Sequence, residues 1–97
     1  MAGFRVTKAA ERDLVSIARH TLKRWGEEQT RDYLGQLDTR FRELAQRPDS
    51  GRRCDEVRNG YRRFQQGKHV IFYRIRETKI VDIVRVLHER MLPEMHL

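Results

Sequence analysis

The feature that most constrains the fold is a change of hydrophobic period at Gly60. Before it, apolar residues recur at spacings of three and four. Ala10, Leu14, Ile17, Ala18, Leu22 and Trp25 form one stripe; Tyr33, Leu34, Leu37, Phe41, Leu44 and Ala45 form a second. Such spacings gather side chains on one face of a helix. After Gly60, apolar and polar residues alternate, as along a half-buried strand. A chain written this way must bury two helix stripes, Trp25 and Phe41 included, against a sheet.

Local signals set the boundaries. Phe4-Arg5-Val6-Thr7 alternates and reads as a strand, and Thr7 is placed to cap a helix over about 8–24. Gly26 stops that helix, and Glu27 and Glu28 open the next with charge suited to a helix N-terminus. Pro48 ends it. So short a junction implies an antiparallel helical hairpin. Residues 51–59 read as loop running into a strand. Strands follow over 61–64, 69–75 and 80–87, with turns at Gln66-Gly67 and Glu77-Thr78, which implies an antiparallel meander. Tyr61 and Tyr73 lie inside strands, where burial with a satisfied hydroxyl is the usual role. The expected order is β-α-α-β-β-β. The expected fold is α+β, a single domain over 1–97, with the helical hairpin packed on one face of an antiparallel sheet. Residues 88–97 fit neither period, yet carry Met91, Leu92, Met95 and Leu97, so this tail is expected to dock on something.

Charge and cysteine content narrow the function. Lys and Arg number 21 against 14 Asp and Glu, a formal net charge of +7, which suits an anionic partner. Cys54 is the single cysteine, so no intrachain disulfide forms; its neighbours Arg52 and Arg53 are of the kind that can lower a thiol pKa, but a lone loop cysteine is more often incidental. No apolar run of 18 residues exists, and Met1-Ala2-Gly3-Phe4-Arg5-Val6 holds no apolar stretch of signal-peptide length. The expected compartment is the cytoplasm, with no membrane partner. His88, Glu89 and His96 match no standard metal spacing, so neither metal nor cofactor is expected.

The element order and several short segments together resemble the RelE/ParE family of toxins from type II toxin–antitoxin pairs. The segments are 4–14, Ala45-Gln46-Arg47-Pro48, Gly60-Tyr61-Arg62-Arg63-Phe64, His69-Val70-Ile71-Phe72-Tyr73-Arg74, Val84-Arg85-Val86-Leu87-His88 and the ending His96-Leu97. The last is typical of the ParE branch. The resemblance covers nearly the whole chain. It implies two helices against an antiparallel sheet and a cognate antitoxin, ParD-like with a ribbon-helix-helix part, in a hetero-oligomer. RelE-type members cut mRNA on the ribosome. ParE-type members inhibit DNA gyrase by direct binding.

Cutting RNA through its 2′-hydroxyl needs a base, an acid and cations at the phosphorus centre. Arg62, Arg63 and Arg74 are the candidate cations and His88 the candidate base or acid. Arg62 and Arg63 must point to opposite faces of their strand, so only one can join Arg74. The ribonuclease branch often carries a tyrosine at or just after this strand end, whereas Glu89 follows His88 here. The set is incomplete. The expected function is therefore a non-catalytic inhibitor of gyrase, and a ribosome-dependent mRNA endoribonuclease is the alternative. The target-binding candidates are Arg90, Met91, Leu92, Met95, His96 and Leu97. ParE-like proteins commonly place Asp after the tail's Met, and Leu92 takes that place here.

Overall fold

Thr7 is where local signal and sheet first meet. Its hydroxyl accepts from the Ala10 N–H at 3.1 Å and so caps helix α1 (Lys8–Trp25). The same hydroxyl donates to the Val84 carbonyl at 2.8 Å, tying the helix start to the last strand. The computed structural model describes residues 3–97; Met1 and Ala2, the first positions of the N-terminal run read above, lie outside them.

Strand β1 (Phe4–Val6) precedes α1, and α2 (Glu27–Gln46) follows it directly. Gly26 makes the junction at φ 92°, a conformation that costs glycine little, and its N–H closes on the Leu22 carbonyl. After Pro48 come β2 (Arg52–Arg53), β3 (Tyr61–Gln66), β4 (His69–Ile75) and β5 (Val81–His88). The five strands form one sheet in the order β1-β5-β4-β3-β2. The three long strands make the expected antiparallel meander.

Two pairings extend the expected sheet. β1 lies beside β5 and runs parallel to it, with Phe4 opposite Val81. The helical hairpin is the connection that lets the chain return in this direction, since parallel neighbours need a long crossover. The basic segment Arg52–Arg53 adds a two-residue strand on β3.

The helix-side core holds Ile17, Leu37, Phe41 and Leu44 against Ile71, Tyr73, Val81, Ile83 and Val86. Tyr73 is fully buried with its hydroxyl satisfied, as expected: it donates to the Pro48 carbonyl and accepts from the Gly51 N–H, both at 2.7 Å. Gly51 must be glycine, because a Cβ there would collide with the Tyr73 ring and the Arg63 carbonyl.

The opposite face is covered too. Val70, Phe72, Leu87 and Cys54 form a second cluster, joined by Val57, Tyr61 and Leu97. Cys54 is therefore not a reactive loop thiol. It is fully buried, and desolvation pushes its pKa up against the pull of Arg63 and Arg52.

The α1 stripe divides. Ala10 and Ile17 are buried, but Leu22 and Trp25 are 52% and 59% exposed, so the expectation that Trp25 is core fails. Leu22 lies one residue, about 100° of helix, past the row that faces the sheet. With Val15 and Ala18 it forms an outer apolar row ending at Trp25.

Candidate functional site

The four residues considered for RNA cleavage are not assembled. Arg63 and Arg74 share the face away from the helices, since Arg63 stands opposite Phe72 and Arg74 opposite Tyr61. Arg63 lies over the Phe72 ring, 5.1 Å from its centroid. Arg74 is 3.2 Å from the carboxylate of Asp82, which Arg76 also meets at 3.3 Å. Arg62 turns to the other face and donates to the Gly51 carbonyl, with Asp49 at 3.5 Å. His88 pairs with His69 at the far end of β4. Positions 69 and 74 are five residues apart along the strand, roughly 16 Å at the ordinary strand rise.

A β-bulge decides what His88 meets. Tyr73 stands opposite Ile83, but Phe72 stands opposite Arg85, leaving Val84 as the extra residue. The bulge moves Val86 into the helix-side core and aligns His88 with His69. Without it, His69 would face Leu87, and His88 would point to the other side of the sheet. Side chains of the α1 region seal the edge this leaves. Thr7 donates to the Val84 carbonyl, and Asp13 accepts the Val86 N–H at 2.9 Å. Both Asp13 oxygens also accept from Arg85 at 2.8 Å, a two-pronged ion pair.

Around His88 lies a cleft of about 480 Å³ between the α1–α2 corner and the ends of β3, β4 and β5. The His69 and His88 rings meet edge to face with centroids 5.5 Å apart. Tyr33 donates its hydroxyl proton to the Gln66 carbonyl at 2.9 Å, and its oxygen is 2.7 Å from His69 Nδ1. With that proton committed, the network assigns the Nδ1 proton to His69 and leaves Nε2 bare. Burial, then the neighbouring His88 and His20, hold the His69 pKa below the usual histidine value. Burial, then Glu89, push the Tyr33 hydroxyl up. Of the cleft residues, only His88 and Arg90 are functional candidates in the sequence, while Trp25 and Tyr33 read there as core. His20, Arg24, Lys68 and His69 carry no such signal, because it takes the bulge and the hairpin junction to bring them together.

The tail candidates divide into anchored and displayed residues. Beyond β5, the Met91 N–H closes on the His88 carbonyl, and Pro93–Met95 forms a single 3-10 turn. Arg85 donates to the His96 carbonyl at 2.7 Å, and Leu97 packs on the far-face cluster. Met91, Leu92 and Met95 remain 45%, 59% and 74% exposed. Arg90 is exposed, its N–H 3.2 Å from His88 Nδ1. The expected docking is thus made through the end of the tail while three large apolar side chains face outward. The described residues contain no group of three or more His, Cys, Asp or Glu able to hold a metal.

Known proteins match this chain along nearly all of its length. A solved structure titled "Chromosomal ParDE TA system from P. aeruginosa" superposes with a TM-score of 0.76 over 91% of this chain and 96% of that one. At 20% identity it speaks for the fold. "Toxin ParE1" of Caulobacter vibrioides is 38% identical over all 97 residues and 99% of its own length. "Toxin ParE1" of Mycobacterium tuberculosis is 41% identical over 88 residues, 91% of this chain and 90% of that protein. The family described as "ParE toxin of type II toxin-antitoxin system, parDE" matches residues 4–93. The chain belongs to the ParE toxin family of type II toxin–antitoxin systems, the ParE branch of the RelE/ParE superfamily.

Proposed function

We propose that this chain is the toxin of such a pair, acting in the cytoplasm by direct, non-catalytic binding to DNA gyrase and neutralised by a ParD-like antitoxin with a ribbon-helix-helix part. The observation that carries the target reading is the division within the tail. A backbone fixed by Arg85 and Leu97 holds Met91, Leu92 and Met95 out to solvent. Large apolar side chains on a fixed backbone suit recognition of a protein surface, since little ordering entropy remains to be lost. The dispersed arginines favour this over RNA cleavage: Arg74 sits on Asp82, far along the sheet from His88.

The antitoxin has its own surface. The row Val15, Ala18, Leu22 and Trp25 runs along α1, and β1 is an edge strand with one side unpaired. An acidic segment that lays an apolar helix on that row, or adds a strand to that edge, would complement a chain of net charge +7. Binding of this kind should raise the melting temperature.

The test is induction of the chain with and without the protein encoded beside it, together with a supercoiling assay on purified gyrase. The expected result is filamentation, loss of supercoiling activity and rescue by the neighbour. His88→Gln should remain toxic, because glutamine keeps hydrogen bonding but cannot transfer protons near neutral pH. Immediate translation arrest with cleaved mRNA, abolished by His88→Gln at an unchanged melting temperature, would overturn the proposal in favour of the RNase.

A further inference from the structure

The cleft beside His88 is lined by none of the displayed tail residues Met91, Leu92 and Met95. Its lining combines cations and imidazoles with an exposed indole. Arg24, Lys68 and Arg90 line it with His20, His69 and His88, and Glu89 is its single carboxylate. Three cations against one carboxylate leave two positive charges before any imidazole is counted. Glu89 is partly engaged, 3.2 Å from the Gln65 amide. Trp25 stands at the mouth on the last turn of α1, 59% exposed, with the Arg24 guanidinium 5.4 Å from its ring centroid. Tyr33 and His69 form a hydrogen-bonded wall whose positions are fixed by the Gln66 carbonyl. A volume of about 480 Å³ falls among ordinary small-ligand sites.

We propose that this cleft binds a phosphorylated nucleoside, with the base stacked at Trp25 and the phosphate held by Arg24 and Lys68. An exposed indole beside clustered cations is the combination that nucleotides recognise: the base gains from stacking on a ring, and the phosphate from charge-assisted hydrogen bonds. The imidazole N–H groups of the lining histidines are further donors of the kind a phosphate accepts. No bond is made or broken. The ligand is either a free nucleotide or one nucleotide of a nucleic-acid strand; the two share this chemistry. The inference stands apart from the gyrase reading, and neither requires the other.

Trp25 is the chain's single tryptophan and lines this cleft, so its fluorescence reports binding there in the free chain. The full-length chain is titrated with adenosine 5′-monophosphate, adenosine, inorganic phosphate and a short oligothymidylate, with calorimetry as a second readout. The expected result is saturable quenching by the monophosphate, with adenosine at least about ten-fold weaker, the loss that goes with one charge-assisted contact. The Arg24→Ala/Lys68→Ala double variant should lose the monophosphate by a similar factor at an unchanged melting temperature, because both side chains are exposed. Arg31→Ala, on the outer surface of α2, should bind as the parent does. Tighter binding of the oligothymidylate than of the monophosphate identifies a strand as the ligand, and no gain identifies a free nucleotide. The proposal is overturned if no probe binds saturably, if adenosine binds as well as its phosphate, or if the double variant binds as well as Arg31→Ala.

Discussion

The two faces of the sheet are closed by different means. On one face, two long helices press Ile17, Leu37, Phe41 and Leu44 onto five strand residues, and the cluster holds ten buried residues among those described. On the other, four buried residues are covered by a loop through Cys54 and Val57 and by Leu97 at the end of the tail. The contrast teaches a division of labour. The helix face supplies most of the burial that opposes chain entropy. The far face is closed by the segment that also displays Met91, Leu92 and Met95. Asp13 and Arg85 join the two, since Arg85 grips the Asp13 carboxylate and the His96 carbonyl at once.

The largest loss of stability is expected from truncating a side chain at the centre of the helix face. Phe41 is 3% exposed and its ring lies 5.7 Å from that of Phe4. Phe41→Ala should cost about 3–5 kcal/mol, the range for deleting a buried aromatic ring. Chemical denaturation measures it. Many domains of this size have only about 5–15 kcal/mol to lose, so the variant should be largely unfolded well below the parent's melting temperature.

A smaller effect is expected from deleting residues 93–97. Only Leu97 in that stretch packs on a cluster, worth at most about 1.5–3 kcal/mol. The lost bond from Arg85 to the His96 carbonyl adds roughly 1 kcal/mol. If the tail merely closes the far face, toxicity should fall only as far as the folded fraction falls. If Met95 and Leu97 touch the target, toxicity should vanish while antitoxin binding persists. A truncation as costly as Phe41→Ala would end the distinction between the faces, and a stable, fully toxic truncation would remove the tail from both roles.

The helix face was largely legible in the sequence because its signals are local. Thr7, Gly26 and Pro48 each act within a few residues, and the observed helices run between them. The far face was harder to read. Val70-Ile71-Phe72-Tyr73 is an unbroken apolar run, the pattern of a strand buried on both sides. What covers it depends on where a polar loop and an irregular tail fold back, and no periodicity encodes that. The α1 stripe was read too wide, since Leu22 and Trp25 fit the helical spacing and still fall outside the contact with the sheet. Of the candidate site, His88 and the apolar tail were visible. The alignment of His69 with His88 was not, because it needs a one-residue bulge at Val84 whose cause lies on another element: Asp13 and Thr7 take up the polar groups it frees.

The smallest effect is expected where the helix face opens into the cleft. His69 leads β4 at the cleft wall, and groups from three elements bear on its charge. Tyr33 comes from α2, His20 and Asp13 from α1, and His88 and Glu89 from the end of β5 and the turn beyond it. Desolvation and the two other histidines lower its pKa below 6.5, and the two carboxylates only partly offset them. The unfolded chain therefore binds this proton more readily than the folded one. Stability should rise with pH through the region below 6.5 and fall as the solution is acidified through it, because the native state must either exclude the proton or accept a charge beside its neighbours. His69→Gln keeps a partner for the Tyr33 hydroxyl and removes the titration. The variant should melt close to the parent at pH 7.5 and lose less stability than the parent between pH 6.5 and 5. Melts at several pH values, with His88→Gln as a second variant that removes one repelling imidazole, measure the difference. A parent whose melting temperature is flat across this range, or a His69→Gln variant with an identical slope, would show that His69 titrates as freely as a histidine in water and that the cleft is wetter than its packing implies.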